Sequence, residues 1–125
     1  MPLSNSETQV WKSHNFSIAA LAGDEPGTVI YRFDGPFTAR DMYSSLSPDQ
    51  VRQIFESLPA NKQPSARIFD LSGVHYMDSV GLGMLVRLYV SSRNKGVRMS
   101  ISGCNSRVSK LFKLTKMASV LPIGN

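Results

Sequence analysis

Short apolar runs and turn-forming clusters punctuate the first third of the chain. Phe16 to Ala22 and Thr28 to Phe33 are rich in β-formers and are separated by Gly23-Asp24-Glu25-Pro26-Gly27. A five-residue connection of this composition predicts a hairpin, so two antiparallel strands open the domain. Asp34-Gly35-Pro36 ends the second strand, and Thr38-Ala39-Arg40-Asp41 has the spacing of a capping box with Asp in the Glu place, which predicts a helix start. Pro48 interrupts that helix. Ser47 ahead of the proline, with Val51, Ile54, Phe55 and Leu58 at i, i+3, i+4 and i+7, predicts a second helical piece. Residues 1–15 read as a polar N-terminal extension, with Val10 and Trp11 placed to dock on the domain that follows.

The second half alternates strand and helix signals. After the loop from Pro59 to Ser65, Ala66 to Leu71 is a strand ended by Ser72-Gly73. From Leu82 the positions Leu85, Val86 and Tyr89 keep one helical face apolar, and Met84 and Leu88 add a second strip, so this helix is expected to be deeply buried. Asn94-Lys95-Gly96 supplies its C-terminal signals. Val97 to Ser102 predicts a strand, Ser106 to Lys116 a helix with Val108, Leu111, Phe112 and Thr115 inward, and Ser119 to Ile123 a last short strand. This order implies right-handed crossovers and an α/β fold, a mostly parallel sheet with an antiparallel N-terminal strand, packed by helices.

Composition narrows the class. A chain of 125 residues holds one domain, and 42% apolar with 18% charged residues is too hydrophobic for disorder. The net charge of +5 is unevenly spread: residues 1–66 sum to −2 and residues 67–125 to +7. Cys104 is the only cysteine, so no internal disulfide forms, in keeping with a reducing cytoplasm. His14 and His75 stand apart with no second cysteine, so no zinc-ligand spacing is present, and no metal is expected. The first nine residues lack the order of a signal peptide, and Arg87 interrupts the longest apolar stretch, so a soluble, cytoplasmic protein without membrane insertion is expected.

Candidate chemistry concentrates at Asp78-Ser79-Val80-Gly81-Leu82-Gly83, where a loop after a strand meets a helix. Ligands and partners meet α/β sheets at that edge. Asp78 or Ser79 could simply cap the helix. Gly81-Leu82-Gly83 begins a G-x-G-x-x-G, but Val86 stands at the third glycine and no Walker lysine follows, so no cofactor is implied. Ser79 lacks a G-x-S-x-G setting and an acid–histidine pair, and His75 on the preceding loop does not supply one, so no catalytic set is present. A regulatory phosphoserine at Ser79 is the third reading: it would add about −1.5 to −2 charges at a helix N-terminus. Its effect would fall on a docked partner far more than on folding.

The run Arg67-Ile68-Phe69-Asp70-Leu71-Ser72-Gly73-Val74-His75-Tyr76-Met77-Asp78-Ser79-Val80-Gly81-Leu82-Gly83-Met84-Leu85 resembles the signature of STAS domains, in particular the anti-sigma factor antagonists. The likeness continues through Gly96, Met99-Ser100-Ile101, Ser106-Arg107-Val108 and Leu111-Phe112-Lys113-Leu114-Thr115 to Leu121-Pro122-Ile123, and so covers residues 16–123. It implies a STAS fold and a non-enzymatic regulator. In that family the serine after this aspartate is phosphorylated by the anti-sigma factor, a histidine-kinase-like serine kinase, and the matching position is Ser79.

The resemblance further implies partner switching. Unphosphorylated antagonist binds the kinase and frees a sigma factor, phosphorylated antagonist lets go, and a PP2C-type phosphatase resets it. Asp78 would orient the loop, Gly81 and Gly83 would allow close approach, and Leu82 would offer an apolar contact; close packing of helix on sheet explains the glycines equally well. With Thr38 and Val80, these make the expected partner-binding set. Many relatives carry aspartate where Thr38 stands; threonine keeps the cap and removes a charge, and Val80 replaces a frequent second serine. The alternative function is a STAS accessory subunit docking on an ABC transporter ATPase. Direct nucleic-acid binding rests only on Arg107, Lys110 and Lys113, spaced as on a solvated helix face, and is not expected.

Overall fold

Five strands pair among the described residues: β1 (Thr8–Lys12), β2 (Ser17–Ala22), β3 (Thr28–Asp34), β4 (Ala66–Gly73) and β5 (Arg98–Ser102). Helices α1 (Ala39–Met42), α2 (Ser79–Asn94) and α3 (Ser106–Leu114) and a 3-10 turn over Met117–Ser119 follow in chain order. The computed structural model describes residues 8–43, 47, 49–50, 53 and 64–124.

The sheet runs β1-β2-β3-β4-β5 in space as in sequence. β1 with β2 and β2 with β3 are antiparallel, while β3 with β4 and β4 with β5 are parallel. The expected α/β class holds, and the sheet is evenly mixed because the segment from Thr8 to Lys12, read from sequence as part of the N-terminal extension, adds a second antiparallel pairing. Trp11 explains that placement: its ring is 6% exposed and meets Phe16 edge-on at 5.4 Å. Burying an aromatic of this size stabilises by roughly 1.5–3 kcal/mol, enough to outweigh a polar flank.

Register lines up the core on one face. Ile18 lies opposite Phe33, Tyr31 opposite Phe69, and Phe69 opposite Ile101, and all five side chains are fully buried. The helices lay Met42, then Leu82, Met84, Leu85 and Leu88, then Val108 and Phe112 into the same core. The opposite face mixes half-buried Ala19, Ile30 and Ile68 with exposed Arg32.

Several expected elements shift. α1 ends at Met42, well before Pro48, with the Tyr43 N–H bonded to the carbonyl of Ala39. Ser47 and Gln50 form a reciprocal capping box, the Ser47 N–H donating to Gln50 Oε1 at 2.9 Å and the Gln50 N–H to Ser47 Oγ at 3.2 Å. Asp49, Gln50 and Gln53 are helical, while Val51, Ile54, Phe55 and Leu58 lie outside the described residues. α2 begins at Ser79, and its buried side is Gly81, Leu82, Met84, Leu85, Leu88 and Ser92, leaving Val86 and Tyr89 at the margin. Thr115, expected inward, is exposed and caps α3 by donating its hydroxyl to Leu111 O at 2.8 Å. The last expected strand is instead the 3-10 turn followed by one bridge of Ile123 to Ile101. Leu121 is the residue buried there, so a single anchor replaces strand alternation.

Candidate functional site

The loops leaving β3 and β4 run side by side and carry the site. The Phe37 N–H donates to Tyr76 O at 3.0 Å, and Phe37 bridges Met77, so the parallel pairing of the two strands resumes beyond their ends. Phe37 is fully buried, its ring stacked on Phe16 at 5.0 Å and edge-on to Phe33 at 5.2 Å. An aromatic anchor thus fixes the height at which both loops cross the sheet edge.

Asp78 then joins two helices. Its Oδ1 accepts the N–H groups of Val80 and Gly81 at 3.0 Å each, capping α2, while its Oδ2 accepts the N–H of Ala39, first residue of α1, at 3.0 Å. Three backbone donors that a helix start leaves open are satisfied by one carboxylate. Asp78, not Ser79, makes the cap. Ser79, one residue on, is exposed and takes no part in it.

Thr38 works from beneath. It is 6% exposed, its Oγ1 accepts the Asp41 N–H at 3.2 Å, and its hydroxyl donates to Asp41 Oδ2 at 2.7 Å. Asn15 Nδ2 donates to Asp41 Oδ1 at 3.2 Å, and Ser13 Oγ to the Asp41 carbonyl at 2.7 Å. A carboxylate therefore stands at the mouth of α1 despite the threonine at position 38, turned inward onto Thr38.

The two glycines have different reasons. A Cβ on Gly81 would collide with the carbonyl oxygen of Phe37 and lie 3.0 Å from Met77 Cγ, so helix and loop can approach this closely only at glycine. A Cβ on Gly83 meets nothing within 4 Å, and the residue is exposed. Leu82 is 6% exposed and belongs to the core, which corrects its expected role as a surface contact. Of the expected partner-binding residues, Ser79 and Gly83 are at the surface, Asp78 and Val80 are half-buried, and Thr38, Gly81 and Leu82 are buried.

Sequence reasoning missed several neighbours of this loop. A cleft of about 410 Å³ beside Asp78 is lined by Pro36, Thr38, Arg40, Asp41 and Tyr76. Arg107 at the start of α3 lies 6.0 Å above the centre of the Tyr76 ring. Asn105 caps α3 through the Val108 N–H at 2.8 Å and donates its amide to His75 O at 3.3 Å, tying the third helix start to the same loop. An asparagine three residues ahead of Val108 was legible as a cap; its second bond was not. Cys104 is half-buried, and burial pushes its thiol up, away from the reactive thiolate. No helix among the described residues is long and apolar enough to cross a membrane.

A mixed sheet with three helix starts gathered at one edge, an exposed serine among them, defines a small α/β domain. The family model for the STAS domain matches residues 21–125, and the chain belongs to that family. An anti-sigma-B factor antagonist of Listeria monocytogenes is 30% identical over 89 residues, 71% of this chain and 76% of that protein. A sulfate transporter family protein from Wolinella succinogenes shares the fold with a TM-score of 0.64 at 18% identity, covering 82% of this chain and 80% of its own. The Bacillus cell fate determinant SpoIIAA in its phosphorylated form superposes with a TM-score of 0.57 at 14% identity, covering 88% of this chain and 91% of its own.

Proposed function

We propose that this chain is an anti-sigma factor antagonist switched by phosphorylation of Ser79, and that it regulates sigma-factor-dependent transcription in the cytoplasm without catalysing a reaction itself. The observation that carries this is the division of labour at the start of α2: Asp78 completes the cap and leaves the neighbouring Ser79 hydroxyl at the surface. The relatedness to an anti-sigma-B factor antagonist supports the same reading.

The chemistry follows from that arrangement. An anti-sigma factor serine kinase would transfer the γ-phosphoryl of ATP to Ser79 Oγ, with loss of the hydroxyl proton and release of ADP. The N–H groups of Val80, Gly81 and Ala39 already serve Asp78, so the new phosphate finds those donors taken and projects outward beside a carboxylate. Its roughly −1.5 to −2 charges then fall on whatever is docked there. Mispaired charge in an interface costs several kcal/mol, sufficient to release a partner. A PP2C-type phosphatase would restore the hydroxyl by hydrolysis.

The test is incubation with ATP and the anti-sigma factor kinases encoded in the same genome, followed by mass measurement. One added phosphate, absent in Ser79→Ala, and weaker kinase binding by Ser79→Asp are expected. A phosphate that persists in Ser79→Ala overturns the assignment. Recovery of an ABC transporter ATPase in place of a kinase replaces it with the accessory-subunit function.

A further inference from the structure

From Ser79 to the last residue the chain has no aspartate or glutamate and eight lysines and arginines. On α3, Arg107, Lys110 and Lys113 recur at every third position and all three are exposed, with Leu114 beside them 72% exposed. Like charges at this spacing repel along a helix, and no acidic side chain stands in the first turn of α3 to oppose its dipole. Lys113 in the last turn complements the dipole and Arg107 packs on Tyr76, while the seat of α3 on the core is made by Val108 and Phe112 on its other side. Lys110 and Lys113 take no part in that packing and stand exposed, available for contacts outside the chain.

Its position gives that role a direction. Arg107 lies over Tyr76, which is 48% exposed and lines the same cleft as Asp78. Asn105 fastens the start of α3 to the loop at His75. A continuous face therefore leads from the Ser79 loop across Tyr76 to the cations of α3.

We propose that Tyr76, Arg107, Lys110 and Lys113 form the second half of the docking surface for the protein that reads Ser79, and that they meet an acidic patch on it. This rests on the phosphoserine switch argued above. A protein fits the face better than a bilayer or a nucleic acid. Leu114 is a single apolar side chain and not the broad apolar face that membrane entry needs. Tyr76 already lies under a guanidinium, whereas single-strand binding uses a series of aromatics on which bases stack. Tyrosine and arginine are the residue types enriched where proteins dock, and the lysines beside them suit the polar rim of such a contact. A phosphate on Ser79 would also place negative charge at the margin of this basic face, opposing the same acidic patch.

The experiment measures binding to the anti-sigma factor kinase that phosphorylates Ser79, at low and high salt, for the wild type, Arg107→Glu/Lys110→Glu/Lys113→Glu, Tyr76→Ala and Lys110→Arg/Lys113→Arg. Circular dichroism checks each fold. The wild type should weaken steeply with salt, the triple reversal should bind about 100-fold more weakly, Tyr76→Ala about tenfold, and the arginine pair should match the wild type. Should the triple reversal not fold, Lys110→Gln/Lys113→Gln gives the same test with about a tenfold effect. Unchanged binding by a folded charge variant, with the wild type bound and phosphorylated, overturns this proposal and leaves the Ser79 switch standing. A wild type neither bound nor phosphorylated by any such kinase overturns both. Charge-dependent binding to DNA or to phosphatidylglycerol vesicles, with kinase binding unaffected, would reassign the face.

Discussion

Asp78 Oδ2 accepts the backbone N–H of Ala39 at 3.0 Å, across 39 residues of sequence, while Oδ1 of the same carboxylate caps α2. The two helix starts flanking the Ser79 loop are therefore set by one side chain. That makes Asp78 a positioning residue for the loop and gives its variants graded effects.

Asp78→Asn keeps one oxygen for the α2 cap but presents an amide donor where the Ala39 N–H needs an acceptor. A loss of about 1–3 kcal/mol in stability is expected. Asp78→Ala removes the cap as well and should cost about 2–4 kcal/mol. Urea unfolding gives both values, and faster hydrogen exchange at Ala39 in both variants identifies the broken bond. Equal stabilities for Asn and wild type would show that the bond to α1 contributes nothing.

The glycine pair separates packing from contact. Gly81→Ala drives a methyl into the Phe37 carbonyl and is expected to cost at least about 2 kcal/mol, since the atom struck is backbone and not the end of a flexible side chain. Gly83→Ala enters open space in a helix interior and should stabilise by about 0.5–1 kcal/mol. If Gly83 lies under a docked partner, the same variant should bind more weakly while melting higher, and calorimetry with a binding titration reads the two effects separately.

Phosphorylation itself should leave stability nearly unchanged, within about 1 kcal/mol, because Asp78 already occupies the donors at the helix start. Thermal melts of the modified and unmodified chain test this. A rise in melting temperature of many degrees would mean that the phosphate has displaced Asp78 from the cap.

Tyr31 sits fully buried on β3, and its hydroxyl has no hydrogen-bond partner among the described residues. Burial pushes its pKa up from 10.0 to about 12, with the nearby Arg67 opposing the shift. The folded state therefore holds the phenol proton more tightly than the unfolded chain. The contribution is whole below pH 10 and is lost as pH rises toward 12, at a slope of at most about 1.4 kcal/mol per pH unit. Tyr31→Phe should abolish that alkaline slope and be neutral or stabilising by about 1 kcal/mol at pH 7, as it removes an unmatched buried hydroxyl. An unchanged alkaline slope in the variant would assign the slope to other groups.

At the far end of α2, the fully buried Ser92 accepts a hydrogen bond from Arg67 Nη1 at 3.0 Å. Ser92→Ala removes an acceptor from a guanidinium that is 2% exposed and should cost about 1.5–3 kcal/mol by urea unfolding. Were Ser92→Ala as stable as the wild type, this clamp would not be what fastens α2 to β4.

Local chemistry was legible where it is written within a few residues. The hairpin of β2 and β3, the Thr38 and Ser47 caps, the strand ending at Gly73 and the helix after Asp78 all follow from periodicity and capping residues no more than four apart, since a strand face repeats every two positions and a helix face every 3.6. The Asp-Ser-x-Gly-Leu-Gly block located the site by the same kind of short-range pattern. What escaped is equally specific. Leu82 looked like a contact because apolar residues near a loop carry no mark of the direction in which they turn. Thr8–Lys12 looked like a tail because an edge strand with one buried tryptophan has too little alternation to announce itself.

By itself, then, the sequence determined most of the element types, the helix starts and the position of Ser79, all encoded by neighbours along the chain. Only the tertiary structure decided that Asp78 serves Ala39, that Gly81 makes room for Phe37 while Gly83 stands open, and that Arg107 lies over Tyr76. Those relationships join residues that the sheet brings together from distant stretches, and no periodicity encodes a meeting between elements until the strands have paired and fixed the edge on which the loops gather.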